Sequence, residues 1–224
     1  MTSTASAPST VPSYERRFMP RLFDVAIAAI FFPFGGARQL RNRTLDLAGV
    51  ASGTRVLELG CGTGGVTQLM LHRGASVHAV DGSARMLERA RDVAPGAEFE
   101  QMQLEELEVH GSYDTVLLAF VLHELGPAAR AEVLEKSLAV LAPNGRLAIL
   151  DHAVPESGLA ARVWRRLLLA IEPPTVRDCI ERGFEAEIGA AGGRIEARHS
   201  LAKGTAALIL ATATDRPRHV RTAQ

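Results

Sequence analysis

Val56-Leu57-Glu58-Leu59-Gly60-Cys61-Gly62-Thr63-Gly64-Gly65 is an apolar run with one carboxylate near its end, broken by a glycine-rich turn. The run reads as a buried strand, and the residues after the turn read as the opening of a helix. Such a turn lets backbone amides come close to a bound small molecule, with a helix N-terminus pointing at it. Gly60, Gly62 and Gly65 also satisfy G-x-G-x-x-G, the spacing of a dinucleotide loop. Glu58 argues against a dinucleotide. A pyrophosphate over this turn is doubly negative, and a carboxylate two residues before the first glycine opposes it, whereas cationic groups are attracted.

Outward from this segment, apolar runs alternate with helical ones, the pattern of a parallel α/β sheet. Strands are expected at 55–59, 76–80, 98–101, 113–119, 146–151, 194–201 and 206–213. Helices are expected at 38–47, 64–73, 83–93, 128–141, 159–171 and 175–190. Pro143-Asn144-Gly145 is a turn signal between a helix and a strand, and Gly192-Gly193 stops the last helix. The final two strands are joined at Ala202-Lys203-Gly204, too short for a parallel crossover, so they pair as an antiparallel hairpin. The expected fold is α/β, a doubly wound, seven-stranded, mostly parallel sheet with an antiparallel C-terminal hairpin. No internal repeat is visible. Asp81 follows Gly60 at the end of the second strand, where a carboxylate can accept both hydroxyls of a ribose. Gly82-Ser83 then begins a helix that carries Met86.

These segments resemble motif I and its successors in the class I S-adenosylmethionine-dependent methyltransferases, E/D-x-G-x-G-x-G, in particular the quinone-biosynthesis and small-molecule (type 11/25) group. The resemblance covers residues 40–215, and it implies the seven-stranded Rossmann-like sheet of that family. S-adenosylmethionine carries no phosphate but an ammonium and a sulfonium, which suit Glu58. The implied cofactor contacts are Glu58, Gly60, Cys61, Gly62, Gly64, Asp81, Gly82, Met86, Gln103, Leu104 and Phe120. Gln103 stands where the family commonly has an aspartate for the adenine amine; its carbonyl can still accept, without charge. The backbone of Leu104 is implied at the ring, and the carbonyl near Phe120 at the ammonium. Leu141-Ala142-Pro143-Asn144-Gly145-Arg146-Leu147 is similar to the family's L-x-P-G-G-x-L turn, with Asn144 replacing the first glycine. The [D/N]-P-P-[Y/F] signature of adenine and amide nitrogen methylation is absent, which argues against DNA and glutamine acceptors.

His123, after the fourth strand, is the candidate for proton exchange near neutral pH; the alternative is a histidine that fixes the loop. His152, at the end of the fifth strand, is a second candidate. A metal site at Asp151-His152 is set aside, because one carboxylate and one histidine are too few ligands and no Asp-Asn pair follows. His72, His78, His110, His199 and His219 show no partner in the sequence. The run Glu105-Glu106-Leu107-Glu108 reads as a solvated face. Tyr14 and Phe23-Asp24 resemble the N-terminal tyrosine region of small-molecule methyltransferases, where a tyrosine reaches over the cofactor, so Tyr14 joins His123 as a catalytic candidate. The stretch Trp164–Pro174 is the other usual place for acceptor contacts.

Of the eight phenylalanines, Phe18, Phe23, Phe31, Phe32 and Phe34 crowd the N-terminus. Phe23, Ile27, Ile30, Phe31 and Phe34 share one helical face, which suits core packing, a lid over an apolar acceptor, or peripheral membrane contact through 18–34. The expected organisation is a disordered tail at 1–13, an apolar helical lid at 14–37, the methyltransferase domain at 38–214 and a tail at 215–224. Arg16, Arg17 and Arg21 before an apolar run have the order of a signal peptide, but the run lies late and Asp24 borders it. With 25 basic and 25 acidic residues the net charge is zero, which offers nucleic acid no attraction. Two cysteines without metal-ligand spacing fit a reducing cytoplasm. The expected partner is a small, hydrophobic acceptor; oligomeric state is not encoded in any pattern here. Rival readings are a phospholipid or quinone methyltransferase at a membrane surface, a nicotinamide-dependent oxidoreductase, and a member that binds cofactor without turnover.

Overall fold

Strands rich in Val, Leu and Ile, separated by amphipathic helices, build one seven-stranded sheet. The computed structural model describes residues 29–108, 110–172 and 174–214. In chain order the elements are α1 (Ala37–Ala48), β1 (Arg55–Leu59), α2 (Gly65–His72), β2 (Ser76–Asp81), α3 (Ala84–Val93), β3 (Glu98–Gln101) and β4 (Tyr113–Ala119). They continue with α4 (Pro127–Ala139), β5 (Leu141–His152), α5 (Leu159–Ile171), α6 (Thr175–Arg182), α7 (Glu185–Ala190), β6 (Gly193–Leu201) and β7 (Ala206–Ala213). The strand order is β3-β2-β1-β4-β5-β7-β6, parallel up to β5, with β7 antiparallel to both β5 and β6. This is the expected topology, including the C-terminal hairpin. The order reverses between β1 and β4, and a sheet of this kind opens a ligand crevice at the carboxyl ends of those strands.

Period two decides which face each strand residue feeds. Leu57, Leu59, Val116 and Leu118 enter one core with Leu134, Leu147 and Ile188. Their neighbours Val56 and Leu117 enter the opposite core with Leu45, Met70 and Leu208. Burial on both faces explains why β1 and β4 read as continuous apolar runs rather than alternating ones. A third cluster, Trp164, Leu168 and Val176, packs Ile30 and Phe34 against α5. Arg130, fully buried on α4, ties α4 to the helices after β5. It donates to Glu187 Oε1 at 2.8 Å, to Asp178 Oδ2 at 2.5 Å and to the Leu125 carbonyl at 3.0 Å.

Two local expectations change. The single helix expected at 175–190 is broken into α6 and α7 at Gly183, which adopts φ +68°. A left-handed residue ends an α-helix, and glycine does so without steric cost. The Pro143-Asn144-Gly145 turn belongs instead to the irregular start of β5, whose pairing with β4 shifts between Tyr113 and Thr115. Asn144 sits there at φ +66°, so asparagine, which tolerates that region, can stand where the resembling family carries glycine. His78 is also partnered: Nδ1 meets the Tyr113 hydroxyl at 2.9 Å and Nε2 meets Glu100 at 3.0 Å. Tyr14, Phe18, Phe23, Ile27, His219 and both tails lie outside the described residues. Among the described residues no helix is long and apolar enough to cross a membrane.

Candidate functional site

The turn after β1 needs glycine for two different reasons. Gly60 has φ +74°, and a Cβ there would collide with the Val121 side chain, so strand β4's following loop closes directly onto it. Gly64 caps α2 at φ +79°, where a Cβ would lie 3.0 Å from the Ala90 backbone. Gly64 therefore serves the packing of α2 on α3 and does not border the crevice, unlike the other glycines of the turn. The crevice encloses about 1110 Å³, its solvent-filled mouth included. Glu58, Gly60, Cys61 and Gly62 border it from β1 and the turn. Asp81, Gly82 and Met86 border it from β2 and α3, and Gln103, Leu104 and Phe120 from the loops after β3 and β4.

Two carboxylates stand in this crevice with different environments. Glu58 is 2 % exposed, and Thr67 on α2 donates to its Oε2 at 2.5 Å. Burial pushes its pKa up to about 8, against the lowering effect of Thr67 and of the Arg41 charge. Asp81 is held by backbone: the Gly62 N–H donates to Oδ2 at 2.7 Å and the Ser83 N–H to Oδ1 at 2.9 Å. It thereby links the glycine turn to the start of α3, and a carboxylate accepts up to about four hydrogen bonds. Ser83 caps α3 by accepting from Met86 N at 3.3 Å, which sets Met86 on the crevice wall. The arrangement suits a molecule with a cationic group at one end and paired hydroxyls further along.

Phe120 follows β4 in the left-handed region at φ +58°, rare for an aromatic residue and costing about 1–3 kcal/mol. Its ring lies 5.4 Å from Phe31 and 4.9 Å from His152. Phe31 is buried and borders the crevice, Phe34 packs edge-on against Trp164 at 5.2 Å, and Phe32 is 80 % exposed. Sequence reasoning missed Arg41, which α1 brings to the crevice beside Gly65. Nothing in the spacing of α1 distinguishes it from the other surface arginines.

The histidine candidates lie behind that wall, and the tertiary structure changes their chemistry. His123 is 3 % exposed and does not border the crevice. Its Nδ1 meets Asp151 Oδ1 at 2.7 Å, and its Nε2 meets Glu172 Oε2 at 3.3 Å. Burial disfavours its charge, but the Asp151 carboxylate and the contacts to Asp151 and Glu172 outweigh this and push its pKa up to about 10. With both nitrogens engaged by carboxylates and the ring outside the crevice, His123 stands where the loop-fixing alternative would have it. His123 N also donates to Asp151 Oδ2 at 3.2 Å, and the Thr175 hydroxyl donates to the His123 carbonyl. His152 Nε2 meets the other oxygen of Glu172 at 3.3 Å. Asp151 is held below the usual carboxylate range: the charge and hydrogen bond of His123 overcome the raising effect of burial. Glu172 is lowered in the same way by both rings. The ligand count that set a metal aside considered Asp151 and His152 alone; the fold adds His123 and Glu172 to them.

A family model described as a methyltransferase domain matches residues 56–145. An uncharacterized methyltransferase of Synechocystis sp. is 29 % identical over 183 residues, 80 % of this chain and 85 % of that one. The ubiquinone/menaquinone biosynthesis C-methyltransferase UbiE of Pseudomonas paraeruginosa is 31 % identical over 150 residues, covering 62 % of this chain and 58 % of that one. The chain thus matches little more than half the length of that quinone enzyme. A TehB-like SAM-dependent methyltransferase from Corynebacterium glutamicum superposes with a TM-score of 0.65 at 17 % identity, covering 91 % of this chain and all of that one, a likeness of fold.

Proposed function

Because this chain belongs to the class I S-adenosylmethionine-dependent methyltransferases, we propose that it transfers the methyl group of S-adenosylmethionine to a small, apolar acceptor by in-line displacement. The observation that carries the reading is the pairing of Glu58 and Asp81 in one crevice beside a glycine turn with no basic residue in it. Glu58 receives the ammonium, together with the carbonyl of Phe120, and Asp81 receives the ribose hydroxyls. Met86 and Leu104 sandwich the adenine, and Gln103 accepts from its amine. Gly60, Cys61, Gly62 and Gly82 give the backbone room to approach. These residues fit the cofactor because the donor set is acidic where the ligand is cationic, and because a Cβ at Gly60 would displace Val121 from the wall.

When bound, the cofactor supplies an electrophilic methyl group on a sulfonium. The chain's own contribution is orientation and the exclusion of water, the effects that dominate when no proton must move. Phe31, Phe120, Val121, Leu125 and Leu150 make the apolar part of the crevice, which favours a greasy acceptor. His123 acts as an anchor for the loop after β4 and leaves the acceptor to react through its own lone pair. Tyr14 is proposed to reach over the cofactor, and Tyr14→Phe tests it through KM and kcat on an identified acceptor. The direct test of the donor is thermal shift: S-adenosylhomocysteine should raise Tm, and stabilisation by NADH alone would sink the proposal. Mass spectrometry of ligands that co-purify with the chain identifies the acceptor.

A second reading places the acceptor, a quinone or phospholipid, at a membrane surface. It is supported by the stripe Leu159, Val163, Leu167 and Ile171, exposed at 44–70 % along α5, with Arg162 and Arg166 next to it in the helix. An apolar stripe edged by arginines suits an anionic bilayer surface. Co-sedimentation with phosphatidylglycerol vesicles, lost on Leu167→Glu, is the expected result; equal pelleting of both forms would discard this reading.

A further inference from the structure

The side chains gathered behind Phe120 form a donor set outside the cofactor crevice. His123 comes from the loop after β4, Asp151 and His152 from the end of β5, and Glu172 from the end of α5. Donor atoms of His123, Asp151 and His152 all lie within 4.8 Å of one another. The contact lengths fall into two kinds. Asp151 to His123 Nδ1, at 2.7 Å, is a charge-assisted hydrogen bond. The two contacts from Glu172 to the histidine Nε2 atoms are both 3.3 Å, longer than the ~2.7–2.9 Å of such a bond. Two donors bound at ~2.0–2.1 Å to one tetrahedral ion stand about 3.3 Å apart. His152, 6 % exposed at its side chain, has in addition a buried Nδ1 with no hydrogen-bond partner among the described residues.

We propose that His123 Nε2, His152 Nε2 and the Glu172 carboxylate form a binding site for one divalent transition ion, with Asp151 holding His123 from behind. Hydrogen bonding of Nδ1–H to Asp151 directs the lone pair of His123 to Nε2, the carboxylate–histidine–metal arrangement that fixes tautomer and ring orientation. Two imidazoles and a carboxylate select Zn²⁺ or Fe²⁺ over Mg²⁺ or Ca²⁺, and three protein donors leave a fourth position for water or a ligand. Asp151 and His152 border a second cavity of about 1010 Å³, its solvent-filled mouth included, between α6 and the β6–β7 hairpin, which would admit the ion. The ion would pin the end of α5 to the loops after β4 and β5. The proposal is independent of the methyl-donor reading, since none of its residues borders the cofactor crevice.

The test uses the full chain, stripped with a chelator and titrated with Co²⁺, with Zn²⁺ as competitor. Expected are one equivalent of Co²⁺ with visible d–d absorption, its displacement by Zn²⁺, and a Tm raised by either ion. Glu172→Gln and His152→Gln should each weaken binding at least tenfold, and Asp151→Asn by about 10–100-fold. S-adenosylhomocysteine titrations on the same samples report whether each variant is folded and separate failure of this site from failure of the cofactor reading. Absence of a stoichiometric Co²⁺ spectrum in the unsubstituted chain overturns the proposal. So does binding that Glu172→Gln and His152→Gln both leave unchanged, which would place the ion on surface histidines.

Discussion

Replacing the buried Glu58 by glutamine (Glu58→Gln) should stabilise the cofactor-free protein while weakening its hold on the cofactor. Glu58 is almost wholly buried and its pKa is pushed up from 4.5 to about 8, chiefly by desolvation. The folded chain therefore holds a proton that the unfolded chain has lost anywhere between those values. A carboxyl raised in this way contributes fully below its unfolded pKa, and the contribution is lost as pH climbs through the folded value. Stability declines by about 1.4 kcal/mol for each pH unit in that window, or roughly 3 kcal/mol by pH 7. Glutamine keeps an oxygen for the Thr67 hydroxyl and has no proton to lose, so Glu58→Gln should be about 3 kcal/mol more stable at pH 7 and nearly equal to the parent near pH 4.5. Cofactor binding responds in the opposite sense. An ammonium favours the ionised carboxylate, so binding must expel the proton, and affinity for S-adenosylhomocysteine should rise nearly tenfold per unit between pH 6 and about 7.5. Urea titrations across pH read the first effect. Calorimetry in buffers of different ionisation enthalpy reads the second as roughly one proton released per ligand at pH 6.5. A flat affinity profile in the parent protein, or the same slope in Glu58→Gln, would refute the assignment of Glu58 to the ammonium.

Three further outcomes follow from the packing. Gly60→Ala forces a side chain into the left-handed region and against Val121, so S-adenosylhomocysteine binding measured by calorimetry should drop by at least tenfold. Arg130→Met strands Glu187 and Asp178 beside a buried apolar chain, and urea unfolding should show a loss of about 3 kcal/mol. Trp164→Ala removes the centre of the cluster that joins α5 to Ile30 and Phe34, together with the indole N–H bond to the Ala153 carbonyl at 2.9 Å. It should cost about 3–5 kcal/mol by the same measurement, and an unchanged midpoint would mean that α5 is not anchored by this cluster.

The glycine turn, the strand boundaries other than the start of β5, and the C-terminal hairpin were legible along the chain because each depends on neighbouring residues. A glycine turn, a period of two and a short Ala202-Lys203-Gly204 link state their geometry locally. Most of the crevice could be read in the same way, since Glu58, the turn and Asp81 sit at strand ends whose position the α/β topology dictates. The packing of Gly64 on Ala90 was not legible, because its spacing in the motif cannot tell a ligand contact from a helix contact. The break at Gly183 was missed because the helical pattern continues on both sides of it, and only its left-handed φ ends α6.

What the sequence determined by itself is the fold and, through an acidic residue before a glycine turn and a second one at the end of β2, the expectation of a methyl donor with a cationic group. The tertiary structure alone decided which groups His123 and His152 meet. They stand 29 residues apart and reach a common carboxylate, Glu172, only because the ends of β4, β5 and α5 meet at one edge of the sheet. No periodicity encodes that meeting. It arises from the twist and stacking of distant elements, and the carboxylates gathered there engage both nitrogens of His123 within a two-histidine, two-carboxylate cluster.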